Sequence, residues 1–228
     1  MAGIDREDWY KVIAELIGTF FFFLIGIGSV LFAGSSGVLY VALAHGIALA
    51  VAISMLGHIS GGHFNPAVTA GMMATRRISP TLGILYILGQ IVGGILSCLV
   101  LLITVPNAST LLSPSATPNP AADVNFLQAI VLEAVLTFFL VLAVFGTAVD
   151  RRAPQIGGFG IGLAVFAGIL LAGPLTGGAM NPARDISPYI VFGPYNGNIL
   201  IYIIGPIIGG VLAALLYNAI FLPKDEVK

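Results

Sequence analysis

The chain has 228 residues, 58% of them hydrophobic and 8% charged, against roughly 25% charged in a water-soluble domain. Nine Lys and Arg and ten Asp and Glu are too few to cover a soluble surface of this size, so lipid is the expected solvent. The net charge of −1 leaves no nucleic-acid footprint, and Cys98, the one cysteine, excludes an internal disulfide and a cysteine-based metal site. No cofactor motif, metal-ligand spacing or set of nucleophile, base and orienting residue is present, so no catalysis is expected.

A membrane-spanning helix needs about 20 apolar residues. Six stretches qualify: Trp9–Phe32, Val38–Leu56, Thr81–Thr104, Phe126–Ala148, Gly157–Leu175 and Asn198–Leu222. Six spans place both termini on one side. Arg6, Lys11, Arg76, Arg77, Arg151, Arg152, Lys224 and Lys228, eight of the nine basic residues, fall on that side, which the positive-inside rule makes cytoplasmic. The first run is too long for a signal peptide and reads as a permanent span. The opposite loops, Gly34–Gly37 and residues 105–125, carry no Lys or Arg. The second reads as an external linker. It holds a glycosylation-type sequon, Asn107-Ala108-Ser109, meaningful only in a secretory host. Arg76-Arg77-Ile78-Ser79 has the form of a phosphorylation site, although topology alone explains its two arginines.

The two halves of this single domain, residues 1–228, repeat each other over about 9–104 and 126–222. Glu15 answers to Glu133, Asn65-Pro66-Ala67 to Asn181-Pro182-Ala183, and Gly89 and Gly93 to Gly205 and Gly209. With three spans per half the second copy is inverted, an architecture of membrane transport proteins whose site lies at the midplane between the repeats. The Gly-x-x-x-Gly pairs predict close helix packing.

Two segments, 57–77 and 175–193, are too apolar for exposed loops and too short to cross, and read as loops that dip in and return. Asn followed by Pro is a helix-start signal in each. Two half-helices starting at Asn65 and Asn181 then meet near the midplane, each bringing about half a positive charge. Such a spot donates hydrogen bonds to a neutral solute and repels cations and protons. Gly61, Gly62, His63 and Gly177, Gly178, Ala179 would present a ladder of backbone carbonyls. Glu15 and Glu133 are expected to anchor the two loops rather than relay protons. Arg184 should stand at the external mouth, with Asp185 a local partner or cap, and His58 and His63 structural.

The two boxes, HFNPAVT and AMNPARD, resemble those of the aquaporin (major intrinsic protein) family over residues 9 to 222. The resemblance implies an all-α membrane protein of six transmembrane helices and two re-entrant half-helices in an inverted 3+3 repeat. It also implies a homotetramer in the bilayer, each subunit with its own pore for water or small neutral solutes. The family's filter positions fall on His45, Ile169, Gly178 and Arg184. Strict water channels usually carry an aromatic ring in place of His45 and a His in place of Ile169. The set here is similar to that of plant tonoplast aquaporins that pass ammonia, and Ile169 to archaeal members. The expectation is a passive channel for water and ammonia in the cell membrane, or in an organelle membrane, with His45 free to donate or accept a hydrogen bond and to respond to pH. Asp185 matches glycerol channels, so a glycerol facilitator is the alternative, and an ion-coupled transporter a more distant one.

Overall fold

The computed structural model describes residues 4–33, 37–108, 110, 115–154, 156–193 and 197–223. Residues 34–36 of the first outer loop, Ser109 of the sequon, and Lys224 and Lys228 lie outside them. Long apolar helices form where the apolar runs predicted them: α1 (Arg6–Leu31), α2 (Gly37–Ser60), α4 (Pro80–Thr104), α5 (Phe126–Val144), α6 (Phe159–Ala172) and α8 (Ile199–Leu216). Two short helices, α3 (Pro66–Ala74) and α7 (Pro182–Phe192), lie between α2 and α4 and between α6 and α8. Each begins on an extended Asn, Asn65 or Asn181, with Pro in the first turn, as the sequence predicts.

The fifth span is shorter than its apolar run. α6 is helical over only 14 residues, because Pro174 would break its intrahelical ladder and the chain turns at residues 173–176. Among the described residues, five helices are long and apolar enough to cross a membrane, with α6 a shorter apolar one.

Glycine spacing decides which helices touch. A Cβ at Gly93 of α4 would lie 2.3 Å from the Leu16 carbonyl of α1, and one at Gly209 of α8 would lie 2.0 Å from the Ala134 carbonyl of α5. The pair α1/α4 is thus matched by α5/α8 one repeat later. Between α2 and α6, Gly46 and Gly162, themselves 116 residues apart in sequence, face each other. A Cβ on either would meet the other's carbonyl oxygen, at 2.8 and 2.3 Å. The outward face stays apolar, with Ile103, Leu127 and Ile220 exposed.

At the end that carries Arg77 and Arg152, α5 and α8 each finish in a π-turn, Phe145–Val149 and Tyr217–Phe221. Their Phe145 and Tyr217 rings pack 5.7 Å apart. Asp150 clasps the pair: Oδ2 accepts from Arg152 Nη2 at 2.7 Å and from the Tyr217 hydroxyl at 3.1 Å. Arg152 Nη2 also donates to the Phe221 carbonyl at 2.5 Å. The Arg152 hydrogen bonds hold the Asp150 carboxyl far below the usual carboxylate range.

Two outcomes follow from this packing. G209A should lower stability by about 1–3 kcal/mol, while G197A, with open space around it, should change it by less than about 0.5 kcal/mol, as read by denaturant unfolding in detergent. A carboxyl with a depressed folded pKa stabilises above its ordinary value of about 3.9 and loses that contribution as pH falls further. The thermal stability gap between the native chain and D150N is therefore expected to hold through neutral and mildly acidic pH and to shrink below that value. A gap that shrinks between pH 7 and 5 would contradict the clasp.

Candidate functional site: the paired half-helices

Backbone that leaves helical geometry inside a membrane must find its hydrogen bonds within the protein. The two dipping loops solve this in the same way. Glu15 Oε1 accepts from the Ser60 hydroxyl at 2.6 Å and from His63 N at 2.9 Å, and Oε2 from Phe64 N at 2.7 Å. In the second half, Glu133 Oε1 accepts from the Thr176 hydroxyl at 2.7 Å and Ala179 N at 3.0 Å, and Oε2 from Met180 N at 2.7 Å. Both carboxyls are fully buried. Phe64 and Met180, just before each Asn, are held at φ 45° and 50°, a conformation bulky side chains rarely adopt. The Glu bonds to their N–H groups are what keep it.

A second layer was not anticipated from the sequence. The Tyr86 hydroxyl donates to the Ser60 carbonyl at 2.9 Å and the Tyr202 hydroxyl to the Thr176 carbonyl at 2.6 Å. These tyrosines, like Ser60 and Thr176, stand 116 residues apart, the offset of the boxes, and that offset was the signal that could have found them. Gln90 adds a donor to Glu15 Oε2 at 2.8 Å. His63 Nδ1 lies 3.1 Å from Thr69 Oγ1 and its ring is edge-on to Tyr86. His58 is exposed.

The two asparagines each make two kinds of bond. Their Oδ1 atoms cap their own helices, from Ala67 N at 2.8 Å and Ala183 N at 3.0 Å. Their Nδ2 atoms cross over: Asn65 donates to the Met180 carbonyl at 2.8 Å and Asn181 to the Phe64 carbonyl at 2.9 Å. Each amide thus spends one N–H on locking the opposite loop and keeps one without a partner among the described residues. The neighbouring carbonyls of Gly61, Gly62, His63, Gly177, Gly178 and Ala179 accept no hydrogen bond from the described residues, in contrast to the tied carbonyls of Ser60, Phe64, Thr176 and Met180.

Three cavities follow one another along these residues. The middle one, about 20 Å³ and lined by Asn65, Asn181, His45 and Ile169 among apolar side chains such as Leu49 and Val144, is close to the room one water needs. A second cavity, of about 260 Å³ on the Arg184 side, shares His45 and Ile169 with it and is also lined by Gly178 and Arg184, so all four predicted filter residues meet. A third, of about 310 Å³, is lined by His58, Gly61, Thr147 and Gly157, among others.

Arg184, 6% exposed, donates from Nε to His45 Nε2 at 3.1 Å and from Nη1 to the Ala116 carbonyl at 2.7 Å. His45 Nδ1 lies 2.9 Å from the Val41 carbonyl. A carbonyl can only accept and an Arg N–H can only donate, so His45 is the Nδ1–H tautomer with both ring nitrogens engaged. The sequence left His45 free to bond a solute. The structure corrects this: its nitrogens hold Arg184 and α2. Asp185 is also corrected. It is fully buried, and neither carboxylate oxygen has a hydrogen-bond partner among the described residues, so it caps nothing there. Cys98 is fully buried, as expected of an inert thiol.

The family profile described as "Major intrinsic protein" matches residues 5–217. The chain is 42% identical over 237 residues to "Aquaporin TIP4-4" of Zea mays, covering 94% of this chain and 91% of that protein. It is 40% identical to "Probable aquaporin TIP2-2" of Arabidopsis thaliana, covering 92% and 86%. Among solved structures it is similar in fold to the "aquaglyceroporin from Plasmodium falciparum", with a TM-score of 0.84, 21% identity, and 93% and 96% of the two chains covered.

Replacing either anchor should expose the loops' dependence on it. Glu15→Gln and Glu133→Gln each put an amide N–H among donors, for an expected loss of about 1–3 kcal/mol. Tyr86→Phe and Tyr202→Phe should each cost about 0.5–1.5 kcal/mol, with unfolding in detergent as the measurement.

Proposed function

The chain belongs to the major intrinsic protein family, and from that premise we propose that this multi-pass membrane protein is a passive channel passing water in single file, and ammonia with it, while excluding ions and protons. The observation that carries the reading is the cavity with room for about one water at the meeting point of two Asn-capped half-helices, with larger cavities toward either end.

In this reading the two helix N-termini supply a positive midpoint of about half a charge each. The remaining N–H of Asn65 and of Asn181 donates to the oxygen of a passing water, whose hydrogens then point away along the ladder of free carbonyls. A water held as acceptor by both amides cannot at the same moment pass a proton through itself, and the positive field opposes any cation. At the outer constriction Arg184 keeps three of its five N–H groups without a partner among the described residues, and the apolar Ile169 lines the same cavity.

The same donor set suits ammonia, a neutral acceptor. Glycerol is less well served, since no Phe, Tyr or Trp is among the described residues that line the outer cavity. The wider proposal keeps a single domain in two inverted repeats, assembly as a homotetramer with one pore per subunit, no catalysis, and both termini on the cytoplasmic side. The membrane is the cell membrane or that of an organelle.

Stopped-flow swelling of vesicles containing the purified protein is the test. Water permeability should rise well above that of empty vesicles, an ammonium gradient should alkalinise the lumen faster, and glycerol should stay near background. Mercuric ion should leave water flux unchanged, because Cys98 is inaccessible. Water flux equal to empty vesicles would end the proposal.

A further inference from the structure

The linker between the repeats belongs to neither of them, yet its residues 115–121 lie across the outer mouth as a strap. Ala116 and Thr117 are buried. The two residues grip one half-helix at its two ends. The Ala116 carbonyl accepts from Arg184 Nη1 in the first turn of α7, at 2.7 Å. The Thr117 hydroxyl donates to the carbonyl of Gly193, the residue that closes α7. Next to them, Pro118 packs against Gly177, where an added Cβ would sit 3.0 Å from the proline ring. The ends of the strap are tied separately, by Ala121 N to the Leu175 carbonyl at 2.8 Å and Asn198 Nδ2 to Asn119 Oδ1 at 2.7 Å.

Two bonds from different nitrogens fix the planar guanidinium: Nε to His45 and Nη1 to the Ala116 carbonyl. Losing either leaves the group one hinge point, and the Ala116 carbonyl is itself flanked by the next residue's side-chain bond to α7. The position one repeat before Arg184 is Val68. The strap therefore meets the half-helix that carries the charge.

We propose that Thr117 is a positioning residue for the outer constriction: by pinning the strap to the far end of α7, it holds the Ala116 carbonyl on Arg184 and so sets which neutral solutes pass. This rests on the reading of Arg184 as a filter residue, and the experiment separates the two. Vesicles carrying the native full-length chain, T117V, T117S, N119A and R184A are compared for water, urea and glycerol permeability. T117V, which keeps the shape and loses the hydroxyl, should raise the glycerol-to-water permeability ratio by about fivefold, the scale of one lost hydrogen bond. T117S should restore the native ratio, and N119A, which loosens the strap away from Arg184, should leave it unchanged. If R184A shifts the ratio and T117V does not, the proposal is overturned while the filter reading stands. If neither shifts it, the filter reading falls and the proposal with it. A T117V chain that is merely less stable, with the native ratio, also overturns it.

Discussion

The structure depends on one constraint: two stretches of non-helical backbone sit at membrane depth, where no solvent can satisfy their polar groups. Two buried carboxylates meet it. Glu15 and Glu133 each accept two consecutive backbone N–H groups and one hydroxyl from the loop they face. Without those bonds the left-handed residues Phe64 and Met180 would have no reason to persist. Without that turn, Asn65 and Asn181 would not stand opposite each other. The scarcity of charge in the chain acquires a meaning here, since two of its few acids are spent on backbone geometry.

Symmetry is kept where architecture is at stake and broken where chemistry is. The Glu anchors, the hydroxyls of Ser60 and Thr176, the tyrosines and the crossed Asn amides all come in pairs. Around that frame the pairs diverge. Gln90 gives Glu15 a further donor, whereas its repeat position is Pro206, which has none, leaving Glu133 Oε2 with the Met180 N–H. Arg184 answers to Val68. A single fixed charge at one mouth suits a filter, while a second on the opposite half-helix would add another buried cation to desolvate.

What the sequence made legible was whatever one residue type at one spacing forces. Asn-Pro forces a helix start, and both half-helices begin there. Glycines in i, i+4 pairs permit backbone contact, and Gly93 and Gly209 make it. An intramembrane Glu must find hydrogen-bond donors, and both do. What stayed hidden depended on three-dimensional partnership. Whether a His nitrogen is free cannot be read from its position, because His45 is used up by Val41 and Arg184, the latter 139 residues away. The linker's prolines and small polar residues signalled a turn-rich segment and gave no sign that Ala116 and Thr117 would close on α7. The π-turns at Phe145 and Tyr217 follow from packing between two helix ends, which helical periodicity does not encode. Asp185 illustrates the reverse case: a plausible local cap by sequence, it has no hydrogen bond among the described residues.

Counting donors makes the selectivity argument concrete. If His45 offered a free N–H, the constriction would present two kinds of donor on different walls and would favour a solute with several acceptors, such as a polyol. With both its nitrogens committed, polar recognition in the proposed reading falls to one guanidinium edge beside the apolar Ile169, and further in to one N–H from each Asn. A solute that accepts one bond at a time and is no wider than water fits that sequence of contacts. Water and ammonia both meet it. A larger polyol would have to leave hydroxyls unpaired against Ile169, at the cost that any desolvated polar group carries without a partner. In the proposed reading, selectivity comes from the donors the structure has already used as much as from those it leaves open.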